Sequence, residues 1–140
     1  MNALVSIAFV TVGHQAYGAS LLDNGDGTVR DFDTGLVWQQ RDVDNAQLNW
    51  ADAHAYCNDL TLAGNSHWRL PKRKELVSII DYRVDMPAID DNKFPATNSD
   101  SYWSASSDVR RDTYAWHANF NGGHVNSANK INAHYVRCVR

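Results

Sequence analysis

The body of this chain has no apolar run long enough to cross a bilayer. The one marked run, Ala3 to Gly13, falls short of the roughly 20 residues a spanning helix needs. Cysteine is scarce: there are two in 140 residues, Cys57 and Cys138. Neither has a second cysteine or a histidine at metal-ligand spacing, which argues against a zinc site. Positive charge is not in excess. A net charge of -3 argues against a general nucleic-acid binder, which carries a strongly basic face. No phosphate-loop or nucleophile-elbow motif occurs, and nothing fixes a Ser/His/Asp trio among the 6 histidines, so no catalytic residue is assigned. There is no internal repeat and no low-complexity tract.

What is present is enough for one domain. Hydrophobic residues make up 44% of the chain, with 5 Trp and 6 Tyr, which supports a real core. The first residues differ from the rest. The apolar run is followed by small residues, and Ala16-x-Gly18 suits cleavage at Ala19. Residues 1–19 therefore read as a signal peptide and residues 20–140 as a single exported domain, periplasmic, secreted or at the cell surface. No Lys or Arg precedes the run, so on this reading the start is truncated or wrongly chosen; a buried N-terminal strand is the alternative. In an exported protein an even cysteine count invites a disulfide, with two free buried thiols as the alternative.

Asn24-Gly25 and Asp26-Gly27 are hairpin-turn dipeptides, and Asp33-Thr34-Gly35 makes a second turn. With strands at Val29–Phe32 and Leu36–Gln39 they predict a small meander. Asp23, Asp26, Asp31 and Asp33 place four carboxylates there. Calcium takes such oxygens, but no Glu closes an EF-hand loop; Asp residues bonding their own turns are the favoured reading and a calcium site the alternative. No cofactor is required. Asn49 caps a predicted helix on which Trp50, Ala53, Cys57 and Leu60 share one face, placing Cys57 inward. Pro71 suits the first position of a second helix with an apolar stripe of Leu76, Ile79 and Ile80. Arg69, Lys72, Arg73 and Lys74 crowd its start, where cations oppose the helix dipole. An anion-binding patch for sulfated or phosphorylated groups is one explanation and a solvated face the other. Residues 84–98 read as an ordered loop pinned by Ile89 and Phe94.

In the last forty residues Tyr114, Trp116, Ala118 and Phe120 alternate with Ala115, His117 and Asn119. This predicts a strand whose aromatic face is buried, followed by a turn at Asn121-Gly122-Gly123.

Taken in order, several phrases carry a resemblance. They are Asp23-Asn24-Gly25-Asp26-Gly27-Thr28-Val29, Thr34-Gly35-Leu36-Val37-Trp38, Trp50-Ala51-Asp52-Ala53 with Tyr56-Cys57, and Trp68-Arg69-Leu70-Pro71 with Lys74-Glu75-Leu76. Phe94-Pro95, Tyr102-Trp103-Ser104 and Tyr135-Val136-Arg137-Cys138-Val139-Arg140 follow. The ordered set resembles the C-terminal domain family of Legionella collagen-like adhesins. The resemblance implies an α+β, C-type lectin-like fold: two helices packed on a twisted, mostly antiparallel sheet with long loops. It implies a Cys57–Cys138 bridge and adhesion to sulfated glycans. The Gly-x-y stalk is absent, so a stalk-driven trimer is not implied. The Glu-Pro-Asn, Gln-Pro-Asp and Trp-Asn-Asp motifs of calcium-dependent lectins are absent too.

The first function reading is an exported binding module for an extracellular glycan or protein ligand, with no nucleic acid partner and no membrane span in the mature chain. Its candidate surface is Arg110, Arg111, His117, Asn119 and His124 together with Asn126, Asn129, Lys130, Asn132 and His134. Trp116 or Tyr114 would serve as an aromatic platform, with core the favoured place for Trp116. A variable binding protein of a diversity-generating retroelement is the second reading, resting on the Asn-, Ser- and His-rich residues Asn119 to His134. A non-catalytic module of a surface assembly is the third. Catalysis of the formylglycine-generating kind, on a related fold, lacks its nucleophile if both cysteines are bridged.

Overall fold

The structure is a computed structural model that describes residues 20–42 and 46–140. The signal-peptide reading of residues 1–19 lies outside the described residues. Three short strands open the described chain: β1 (Leu21–Asp23), β2 (Thr28–Asp31) and β3 (Val37–Gln39). They pair antiparallel in chain order. Val29 sits opposite Trp38 in the register, and both are fully buried, so the meander closes over one apolar pair. The turns bend where the Asn-Gly and Asp-Gly dipeptides place them.

Helix α1 (Trp50–Asp59) starts as its sequence dictates. The Asn49 side chain accepts a hydrogen bond from the Asp52 amide at 2.9 Å, satisfying one of the donors a helix leaves open at its start. Ala53 and Cys57, four residues apart, are its buried positions. Helix α2 (Arg73–Ser78) begins two residues later than Pro71 predicts, with Lys72 as its cap. The reason is Glu75: its carboxylate reaches back to accept the Lys72 amide proton at 2.7 Å. Proline has no such proton to offer, so Pro71 stands outside the helix and is itself buried. Leu76, Ile79 and Ile80 face the core as their spacing predicts, and Ile89 and Phe94 pin the following loop to it.

A second antiparallel sheet holds β4 (Ser101–Asp108), β5 (Arg111–Asn119) and β6 (His124–Asn129), again in chain order. The fold is thus α+β, with two three-stranded sheets where one twisted sheet was predicted. The β5–β6 turn brings Gly123 so close to the loop after α2 that a Cβ there would lie 2.8 Å from both Ile80 Cγ2 and Tyr82 Cε1. Its φ of +82° is also one that side-chain-bearing residues rarely adopt. Among the described residues no helix is long and apolar enough to cross a membrane.

Successive strand residues face opposite ways, and β4 uses this to serve two cores. Tyr102 joins Ala118, Phe120, Trp38, Leu76 and Phe94 on one side. Trp103 joins Ala115, Ala53, Cys57, Trp68 and Cys138 on the other. The C-terminal residues 135–140 bind the parts together. The Val37 amide donates to the Arg140 carbonyl at 2.8 Å, and the Trp103 amide to the Tyr135 carbonyl at 3.0 Å. Cys138 is bonded to Cys57 across a sequence separation of 81 residues, and no cysteine is free. Cys57→Ser is expected to cost about 4 kcal/mol, mainly by releasing the unfolded chain. Urea unfolding of the oxidised proteins measures it, and an unchanged midpoint would show that the bridge does not stabilise the fold.

Candidate functional site

The register of β5 and β6 divides the ten-residue polar surface predicted from the sequence. His117 pairs with Asn126 and Asn119 with His124, so these four side chains share one face of the sheet. Ala115 and Ala128 lie on that face and pack with Ala53 and Cys57, so it is the α1 side. Tyr114 and Trp116, paired with Asn129 and Ser127, lie on the opposite face. One surface is therefore two. Asn129 serves its own turn, its Oδ1 accepting the Ile131 amide at 3.1 Å. Asn132 is exposed. The Lys130 ammonium donates to the Asp112 carbonyl at 2.6 Å and sits 4.3 Å from the centre of the Trp50 ring.

On the α1 side His117 and His134 stack at 4.8 Å between ring centres, with His134 edge-on to Trp103 at 4.5 Å. Both imidazoles are half-buried. Nδ1 of His117 and Nε2 of His134 are enclosed without a hydrogen-bond partner. Burial, then the neighbouring His134, pushes His117 down to about 4, against a weaker opposing pull from Asp100. Burial lowers His134 as well, again opposed by Asp100. Burial thus favours the neutral form of both imidazoles, which are half-buried and packed against each other and Trp103.

The other face opens into a groove of about 420 Å³ between the start of α2 and the β4–β5 turn. Lys72, Arg73, Lys74 and Arg110 line it, with the acids Glu75 and Asp108 and with Ser106, Ser107, Val109 and Trp116. Trp116 is half-buried here rather than core, and its ring carries cations. The Arg73 guanidinium carbon stands 3.8 Å from the ring centre and that of Arg110 5.6 Å. Tyr114 is likewise half-buried beneath Arg111 at 4.0 Å. The alternation correctly groups these aromatics on one face. At this end of the sheet that face is covered by arginines instead of apolar side chains.

Two acids organise the cations. Asp108, its side chain fully enclosed, accepts from Nε and Nη2 of Arg110 at 3.1 and 3.0 Å and from the Ser127 hydroxyl at 2.8 Å. The Arg110 bonds hold its carboxyl well below the usual carboxylate range. Arg111 lies 3.7 Å from the same carboxylate. Glu75 takes a two-pronged ion pair from Arg69 at 2.7 and 2.9 Å, which lowers the acid and raises the base. Arg69 is thus neutralised and leaves the predicted anion patch. Lys72, Arg73 and Lys74 keep no ion pair among the described residues, and all three are exposed. The Arg73 amide donates to Ser106 Oγ at 3.0 Å, fixing the helix start against β4. The sequence reading missed Ser106, Asp108 and Val109, the last 99% exposed at the groove's rim.

The four acids of the meander do not converge. Asp23 accepts the Gly25 amide at 2.8 Å, and Asp26 the Thr28 amide and hydroxyl. Asp31 accepts the Asp33 amide at 2.9 Å and the Thr34 hydroxyl at 2.7 Å, while Asp33 accepts the Ser20 amide at 3.0 Å. Asp23, Asp26 and Asp31 serve their own turns, and Asp33 ties its turn to Ser20. Among the described residues no group of three or more His, Cys, Asp or Glu is placed to hold a metal ion.

Compared with known proteins, residues 27–140 match the family model described as the Lcl C-terminal domain. No curated protein matches the chain.

The histidine pair gives the domain an acid-sensitive point. An unfolded histidine takes up a proton below its ordinary value of 6.5, whereas folded His117 does so only near 4. Between these values the unfolded state binds more protons, so stability falls as pH falls. The melting temperature is expected to drop steadily from pH 6.5 to 4, and less steeply in a His117→Asn, His134→Asn variant. Equal slopes in the two proteins would place the acid sensitivity elsewhere.

Proposed function

Because the chain belongs to the Lcl C-terminal domain family, an adhesin-associated module, we propose that it is an exported adhesion domain that takes a sulfated glycan in the groove between α2 and β4–β5. The observation that carries this reading is the set Lys72, Arg73 and Lys74. Three adjacent cations stand beside Arg110 and form no ion pair among the described residues, at a helix start whose dipole they oppose. The groove's two acids, Glu75 and Asp108, are engaged by Arg69 and Arg110. Charge kept at a cost to the helix is accounted for by an anionic partner. Arg69 plays no direct part, since Glu75 holds it.

Other features support the setting. A disulfide between the first helix and the C-terminal segment suits an oxidising compartment. Two helices, two antiparallel sheets and that bridge support a C-type lectin-like plan. A binding role is supported by the bridged cysteines, which leave no thiol for catalysis of the formylglycine-generating kind. Recognition runs through side-chain cations without calcium.

Retention on immobilised heparin across a salt gradient tests the reading. The wild-type chain is expected to elute later than a control protein of equal net charge, in calcium and in chelator alike. Replacing Lys72, Arg73 and Lys74 together by Gln is expected to weaken binding by about tenfold, from three modest surface contacts. Unaltered elution of that variant would assign the three cations to solvent.

A further inference from the structure

We propose that Trp116 is a positioning residue that orients arginine forks, and that the groove reads oxyanions alone. A polyanion containing no sugar, such as a chain of inorganic phosphate, is then also a ligand. This deepens the reading of the groove as an anion site and rests on it.

Sugar-binding sites ordinarily offer a bare aromatic face to the ring of the sugar. This side of the sheet has two aromatic rings in a position to do so, and both are capped by guanidinium groups. Arg73 lies 3.8 Å from the centre of Trp116, and Arg111 lies 4.0 Å from the centre of Tyr114. Those are contact distances between a guanidinium carbon and a ring face, and no pyranose fits between them. A sugar would have to evict an arginine to stack, losing a cation–π contact and removing the charge that attracts the ligand.

The arrangement suits a different use of the indole. A guanidinium on a flexible stem loses much rotamer freedom when it binds. Held against a half-buried indole, the Arg73 guanidinium is positioned in advance, and it has no hydrogen-bond or ion-pair partner among the described residues. Arg110 is set from two sides, by the same indole and by Asp108. The acid engages Nε and Nη2 and leaves Nη1 uncommitted. Two oriented forks beside Lys72 and Lys74 match the oxygens of sulfate or phosphate groups and offer nothing specific to a neutral sugar ring.

The test measures equilibrium binding of the full chain to three probes: a heparin oligosaccharide, its desulfated and N-acetylated counterpart, and inorganic polyphosphate of matched charge. The sulfated and phosphate probes are expected to bind within about tenfold of each other, as charge-led recognition requires, and the desulfated one not at all. Arg73→Lys, which keeps the charge but not the fork, should weaken both by roughly fivefold. Trp116→Phe should keep most of the affinity and Trp116→Leu should lose as much as Arg73→Lys. The double variant Trp116→Leu, Arg73→Lys should lose little more than either alone, because one residue acts through the other.

Binding of heparin without polyphosphate would overturn this inference and leave the sulfated-glycan reading standing, whereas equal binding of the desulfated probe would overturn both. Losses that multiply in the double variant would also overturn it. Failure of the wild-type chain to bind either polyanion would overturn both readings. Should Trp116→Leu not fold, Arg73→Lys decides the question, since it leaves the aromatic packing intact; unchanged affinity there rejects the fork.

Discussion

The C-terminal residues 135–140 are the seam on which the rest of the structure depends. They hydrogen-bond to β3 on one side and β4 on the other, and Val139 bridges both Trp38 and Arg69. Cys138 fastens α1 to the same segment. Arg137, between the two bonded neighbours, is completely buried. Its guanidinium donates to the carbonyls of Gln39 and Gln40 and to the Thr97 hydroxyl, and it lies 4.7 Å from the centre of the Phe94 ring. A cation enclosed without a carboxylate in contact is tolerated only where neutral acceptors and ring faces surround it. Arg137 therefore demands that the meander, the 94–98 loop and the C-terminus meet in one arrangement. Tyr102 extends the same network: its hydroxyl donates to Asp42 at 2.9 Å, and burial pushes it up to about 12.

With that seam closed, the second sheet lies between two cores, and its alternation has a consequence for function. Every polar residue on it is assigned to the α1 side or the α2 side. The α1 side is packed: Trp103, His117 and His134 fill one another's space, and burial keeps the imidazoles neutral. On the α2 side the short helix covers only part of the sheet. Past its N-terminus the apolar residues give way to Trp116, Tyr114 and the arginines that cap them. The same six-residue helix that buries Leu76 thus holds Arg73 against the indole. Core packing and the groove come from one docking event.

Much of the architecture was legible from local rules. The Asn49 cap, the inward Cys57, the glycine turns of the meander and the stripe of Leu76, Ile79 and Ile80 all stand where spacing put them. Each depends on residues within one or two turns of each other. The misreadings share a different cause. Pro71 was displaced from the helix by Glu75, whose carboxylate engages both Arg69 and the Lys72 amide. Arg69 looked like a free cation because its partner is six residues on, in the helix it precedes. Trp116 looked like core because a period of two groups side chains by face without saying what covers the face.

The sequence by itself therefore determined the existence of both helices, the strands at Val29 and Val37 and in the Tyr114–Phe120 segment, the turn chemistry of the acidic meander and the family. These follow from short-range sterics, from capping and from an ordered set of motifs. Only the tertiary structure decided that ten polar residues form two surfaces, that Arg69 is neutralised, and that Arg73 and Arg110 meet over Trp116, more than forty residues after Arg73 in the chain. Strand register and helix docking set those distances, and both result from burying apolar surface across the whole chain, which no local pattern encodes.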